Sequence, residues 1–276
     1  MGIKEQGRAI LATAWKEIRE GLRYPLSLIF SGATIFAFSM LGELFGFLAG
    51  TRHSAILLEL TGISDVVAYM AMGLFVWVYM AIVISDLGWG IMHERLRGTL
   101  EQIFISPMSR FSYFLGKIIN DMFFACVFIL PVAAVIIYIE GISLSVNWGA
   151  FAVVLLVATV SFFGFGFMLA ALVLIARRVG QLFSFLQMMM LGLCDVLIPI
   201  ESFPLWLRII AMCIPLTFAS RLIRKTCLLG LPLFAPSVMG DLLALIVESA
   251  VYLVVGVLIY RKAEDWARYA GTLRAY

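Results

Sequence analysis

Six apolar blocks, each near the length a helix needs to cross a bilayer, constrain this 276-residue chain more than any other feature. They run over roughly 25–48, 66–87, 116–139, 149–176, 181–198 and 238–260. About 20 consecutive apolar residues cover the hydrocarbon core, because an α-helix rises about 1.5 Å per residue. None of the blocks reads as the ten-residue polar/apolar alternation of a barrel strand. The blocks predict an all-α integral membrane protein with six transmembrane helices, spans one to six. Composition agrees: 63% of residues are hydrophobic and 13% charged, where soluble domains lie near a half and a quarter. The formal charge of +3 gives no reason to expect nucleic acid as a partner.

Lys and Arg orient the bundle. Fifteen of them fall on one side: Lys4, Arg8, Lys16, Arg19 and Arg23 before span one, Arg95, Arg97, Arg110 and Lys117 between spans two and three, Arg177 and Arg178 between four and five, and Arg261, Lys262, Arg268 and Arg274 at the end. The positive-inside rule makes that side cytoplasmic, with both termini inside. The opposite side carries Arg52, Arg208, Arg221, Arg224 and Lys225. The stretch 206–220 is apolar enough for a seventh span, and the charge count does not decide against it. Its fifteen residues and internal Pro215 suit a re-entrant or surface-lying hairpin better, with Pro199, Pro204 and Pro215 breaking the backbone at the bends.

Before span one, Leu11, Trp15, Ile18 and Leu22 recur at helical spacing, while Lys16, Glu17, Arg19, Glu20 and Arg23 fill the other faces. That pattern predicts an N-terminal amphipathic interface helix in the headgroup plane, in contact with membrane lipids. The charged first two dozen residues do not read as a cleavable signal peptide. Cys126, Cys194, Cys213 and Cys227 are scattered through apolar stretches, without the spacing of a metal site or disulfide framework. With no internal repeat or linker, one membrane domain over 1–276 is the economical reading: interface helix 1–24, six-span bundle 25–260 and cytoplasmic tail 261–276.

The loop between spans two and three carries the most chemistry. Leu96, Leu100, Ile103 and Phe104 form an apolar stripe beside Glu94, Arg95, Arg97 and Glu101, and Pro107 ends the helix. A short helix with a charged face suits docking into a partner's groove; a plain solvated loop is the alternative. The run Glu94-Arg95-x-x-Gly98-Thr99-Leu100-Glu101, then Pro107 and Gly116-Lys117, resembles the signature of type-two ATP-binding-cassette (ABC) exporter permeases. Pro199, Phe203, Pro204, Trp206 and Leu207, followed by Pro215-Leu216-Thr217-Phe218-Ala219 and Arg224, resemble the re-entrant outer hairpin between that family's last two spans. Arg221 departs from the pattern, where a small or acidic residue is expected.

The resemblance implies a cytoplasmic coupling helix at Glu94–Gln102, acting through Glu94, Arg95, Arg97, Gly98, Thr99 and Glu101. It implies two permease chains, as homo- or heterodimer, and two copies of a separate cytoplasmic ATPase subunit. No phosphate-cradling G-x-x-x-x-G-K-[ST] loop occurs in this chain. It is therefore expected to be no enzyme and to bind no cofactor itself, with ATP and Mg held on the partner. Location in the cytoplasmic (inner) membrane and outward movement of an amphipathic drug-like, lipid or lipid-linked/oligosaccharide substrate follow as expectations.

Intramembrane acids are costly and often mark a transport path; Glu43, Asp195 and Glu248 are the candidates. Asp121 and Asn120 beside Lys117 read as local pairing or snorkelling. Gly42, Gly46 and Gly50 suit close helix packing, within one chain or between two. Phe162, Phe163, Phe165 and Phe167 read as lipid-facing, although aromatic walls would also suit an amphipathic substrate. Rival classes are a secondary transporter or channel, which would favour inverted repeats, and a membrane-embedded enzyme. His53 and His93 fall on opposite sides of the membrane in this topology, which leaves such an enzyme without a clustered acid–base set.

Overall fold

The structure, a computed structural model, describes residues 3–23, 40, 53–96, 110–175 and 180–269. Span one, apart from Met40, lies outside them, as do Arg97, Gly98, Thr99, Glu101, Glu43, Gly42, Gly46 and Gly50. Among the described residues the fold is helical, with one isolated bridge between His53 and Asp65. In chain order the helices are α1 (Ile3–Arg23), α2 (Ala55–Thr61), α3 (Val66–Leu96), α4 (Arg110–Phe124), α5 (Leu130–Glu140), α6 (Trp148–Ile175), α7 (Gly180–Leu193), α8 (Leu205–Met212), α9 (Pro215–Cys227) and α10 (Pro236–Tyr269).

Local chemistry sets many of these limits. Asp65 caps span two, its Oδ1 accepting from Val67 N at 2.9 Å and Ala68 N at 3.1 Å. Span three changes winding midway: a π-helical turn, Ala125–Ile129, joins α4 to α5 with helical backbone at both joints. Pro131 stands just beyond it. A proline there has no N–H for the carbonyl four residues back and its ring crowds it; a widened turn absorbs the mismatch. Gly141, at φ 61°, closes α5 in the left-handed conformation.

Within the described residues, three helical stretches are long and apolar enough to cross a membrane: Val66–Gly88, Trp148–Ile175 and Pro236–Ala267. The pair α8–α9 would make a fourth if taken as one span, but it bends by 85°. That bend rules out a straight seventh span through 206–220. Span five is shorter than its apolar block. α7 has 14 residues, about 21 Å of helix, and ends where Asp195 adopts φ 56°. A left-handed residue ends an α-helix, and Asp tolerates that region better than most. α10 in turn runs nine residues past the expected boundary at 260, so most of the tail begins as helix.

α3 is apolar all round, as a helix enclosed by others should be, and sits at the centre with Tyr79, Met80, Val83, Ile84 and Leu87 buried. The phenylalanines of span four are core and not lipid-facing. Phe162, Phe163 and Phe167 are buried, and Phe114, Phe163, Phe167 and Tyr260 stack edge to face, with Phe114 and Phe167 centroids 4.6 Å apart. This cluster ties spans three, four and six together. α6 and α10 cross at Gly164 and Gly256, where a Cβ on either would run into the other helix's backbone.

Candidate transport and coupling sites

Two ends of the bundle carry buried charge. At the hairpin end, Asp195 and Arg224 form an ion pair, Nη1 to Oδ2 2.9 Å, with both side chains almost fully enclosed. The other groups are also satisfied. Asp195 Oδ1 accepts from Tyr69 Oη at 2.7 Å and from Ile200 N at 3.0 Å. Arg224 Nε donates to Tyr69 O and Nη2 to Val196 O, each at 2.9 Å. The guanidinium lies 3.6 Å from the centroid of the Tyr69 ring. Gly73 makes room: a Cβ there would overlap Arg224 Nη2 and Val196 O and lie 2.9 Å from Val196 Cα. One group of side chains thus fastens the break in span five to the first turn of span two and to α9.

The remaining bases of α9 are paired as well. Arg221 meets Glu201, and Lys225 Nζ lies 2.7 Å from Asp241 Oδ2 of α10. Arg221 therefore adds no unbalanced charge, although it still departs from the family pattern. Tyr252 donates to the carbonyl of Cys213 at the α8–α9 elbow. Asp241 and Tyr252 are eleven residues apart on one helix, about 16 Å, so the elbow is fixed well inward of the Lys225 contact.

At the opposite, basic end, Lys117 is buried at 2% exposure. Its Nζ donates to Asp86 Oδ2 at 2.9 Å and lies 3.9 Å from Glu17 Oε2 of α1. Asp121 is buried alongside and takes a 3.4 Å hydrogen bond from Asn120 Nδ2. Of the two readings of this pair, local pairing holds; Lys117 does not snorkel to water. Burial pushes the Glu17 carboxyl above its ordinary range, and Lys117 pulls it back.

A cavity of about 820 Å³ opens between spans two, three and four near the hairpin end. Met72, Phe75, Pro131, Tyr138, Trp148 and Phe151 supply much of an almost wholly apolar wall. Glu248, on α10, is half-buried, and its Oε2 is enclosed without a hydrogen-bond partner.

The sequence-selected residues therefore divide. Asp195 is held in a buried ion pair, whereas Glu248 keeps unused acceptor capacity. Phe203 caps the 3₁₀ turn, Pro204 caps α8, Trp206 is exposed on α8, and Pro215 is the buried first residue of α9. Glu94 and Arg95 lie in the last turn of α3, so the run that begins at Glu94 continues span two without a break. Tyr69, Gly73 and Asp86 were missed, since each sits in or beside an apolar run and nothing local marks its distant partner.

Residues 55–258 match the family described as ABC-2 family transporter protein, well over half of the chain and inclusive of both motif regions. The chain belongs to the ABC-2 transporter family. It is thus a multi-pass membrane protein, the permease component of an ABC transporter, and its partner is an ATPase subunit. An ABC-2 permease is the membrane transport component of such a system. No curated protein matches it.

Proposed function

We propose that this permease exports an amphipathic drug-like, lipid or lipid-linked molecule outward across the cytoplasmic membrane. Two permease chains, identical or not, enclose the path, and two ATPase subunits dock on the cytoplasmic face. The basic end is cytoplasmic, both termini lie there, and six spans cross, the first within 25–48. α1 lies in the headgroup plane: Leu11, Trp15 and Leu22 are exposed along one side, free to enter lipid, while Thr13 and Ala14 are buried. α8 and α9 form a re-entrant hairpin on the outer side.

The apolar cavity is the observation that carries the substrate class. Its volume lies within the range of small-molecule sites, and flat aromatic faces beside a flexible methionine accommodate varied apolar shapes. The apolar part of the cargo occupies it, and Glu248 is a candidate contact for a polar or cationic part. Filling the cavity by Ala134→Trp should lower export about tenfold, with ATPase assembly intact. Equal export by this variant, measured in vesicles, would remove the cavity from the path.

The work comes from the docked ATPase through Glu94–Gln102. Glu101→Arg places repulsion in that interface and should weaken co-purification of the ATPase about tenfold while insertion stays normal. The overall reading is tested by purification from native membranes followed by vesicle transport with ATP or an ion gradient. Transport that follows a gradient alone, with no ATPase recovered, would replace this reading with a secondary carrier.

A further inference from the structure

The coupling segment emerges from α3, a helix unbroken from Val66 to Leu96. Asp86 lies ten residues before its end, about 15 Å along a stiff rod. Any push delivered at Leu96 therefore displaces Asp86, and Asp86 is bound to Lys117 of span three at 2.9 Å. Gly90, one turn further along α3, gives the lysine its seat, since a Cβ there would lie 2.7 Å from Nζ and 3.0 Å from Cε. Gly116 serves the other side. A Cβ on it would overlap Thr13 and stand 2.9 Å from the carbonyl of Ile10, so α1 rests directly on the span-three backbone. Glu17 of α1 then reaches the same ammonium.

We infer that Gly116-Lys117 gears α1 to spans two and three, with Glu17 the positioning residue that makes the interface helix follow ATP-driven movement of the coupling segment. Lys117 is held between Asp86 and Glu17, and the buried Asp121 interacts electrostatically with it and with Asp86. The Lys117–Asp86 contact is short and charge-assisted at 2.9 Å, and Glu17 adds a longer ionic contact at 3.9 Å in the same enclosed place, where charges are weakly screened. Lys16 also reaches Glu17, at 3.7 Å, from a side chain that is 47% exposed, whereas Lys117 is enclosed. The apolar stripe of α1 embeds in the headgroup layer, so a geared α1 moves lipid as span three moves. The inference rests on the proposed ATP-driven export.

Lys117→Met strips the cation from all three acids and endangers the fold, so Glu17→Gln is the deciding variant. It leaves the Lys117–Asp86 bond in place. The experiment uses the full permease–ATPase complex in nanodiscs, with hydrogen exchange read with and without a non-hydrolysable ATP analogue. In the wild type, exchange over 3–23 should change about threefold with nucleotide. In Glu17→Gln that response should fall below half, while 110–124 responds as before. In vesicles the same variant should move about fivefold less substrate per ATP hydrolysed, with Tm within about 3 °C of wild type; a purely structural role would lower Tm and leave the ratio alone. An α1 response or transport ratio equal to wild type in Glu17→Gln overturns the gear and leaves the export reading standing. A wild-type complex without ATP-dependent transport overturns both.

Discussion

Arg224→Met is expected to be the most damaging single change at the hairpin end, with a loss of about 3–5 kcal/mol in folding stability. The substitution leaves Asp195 buried at 3% exposure with its charge uncompensated. It also removes the two bonds that hold the carbonyls of Tyr69 and Val196. A carboxylate left in a low-dielectric setting costs far more than the pair contributes when intact. Thermal unfolding in detergent should show the drop directly. Arg224→Met combined with Asp195→Asn should recover part of it: the buried charge is gone, and Asn tolerates the left-handed backbone at 195. If the double variant is no more stable than Arg224→Met alone, the loss arises from packing and the account of the pair is wrong. Arg221 and Lys225 pair with Glu201 and Asp241 at partly exposed sites, and their removal should cost much less.

Gly164→Leu should produce a comparable loss, about 3 kcal/mol, by forcing α6 and α10 apart. A Cβ at 164 would meet the backbone of Tyr252 and Leu253, including Leu253 Cα at 2.8 Å. Backbone does not rotate out of the way as a side-chain tip does. Separation of the helices would also disturb the hydrogen bond from Ser249 Oγ to Val157 O, 3.1 Å, and the contact of Phe165 with Tyr252. Gly240→Ala is the control: a Cβ there meets nothing within 4 Å. Its stability should change by no more than about 1 kcal/mol, in the stabilising direction, because Ala favours helix over Gly. Equal effects of the two substitutions on Tm would mean that the crossing is not tightly packed.

Span two was legible because an uninterrupted apolar run bounded by Asp65 leaves a helix little choice of start. Span four was equally plain, at Trp148–Ile175 against an expected 149–176. The end of span five was not legible. Apart from Asp195 itself, residues 194–198 are as apolar as those before them, and the ion pair with Arg224, twenty-nine positions away, shows why the helix yields there. The phenylalanines of span four were misread for a related reason. In a membrane protein an apolar residue suits lipid and core alike, so hydropathy carries no information on which face is buried. The bases of α9 had the opposite problem: charge was visible, but its neutralisation by acids on three other segments was not.

What the residues decide alone is solvent and family. Apolar runs of bilayer length leave no other medium, and the Glu94-Arg95-x-x-Gly98-Thr99 and Phe203-Pro204-x-Trp206 patterns point to a permease lineage that the match over 55–258 establishes. Tertiary structure decided which charges are locked, which remain available, and that Gly116-Lys117 joins three elements. The reason is physical: side-chain type fixes what a residue can do in water or lipid, whereas the worth of a buried charge or a missing Cβ depends on the atoms folded against it.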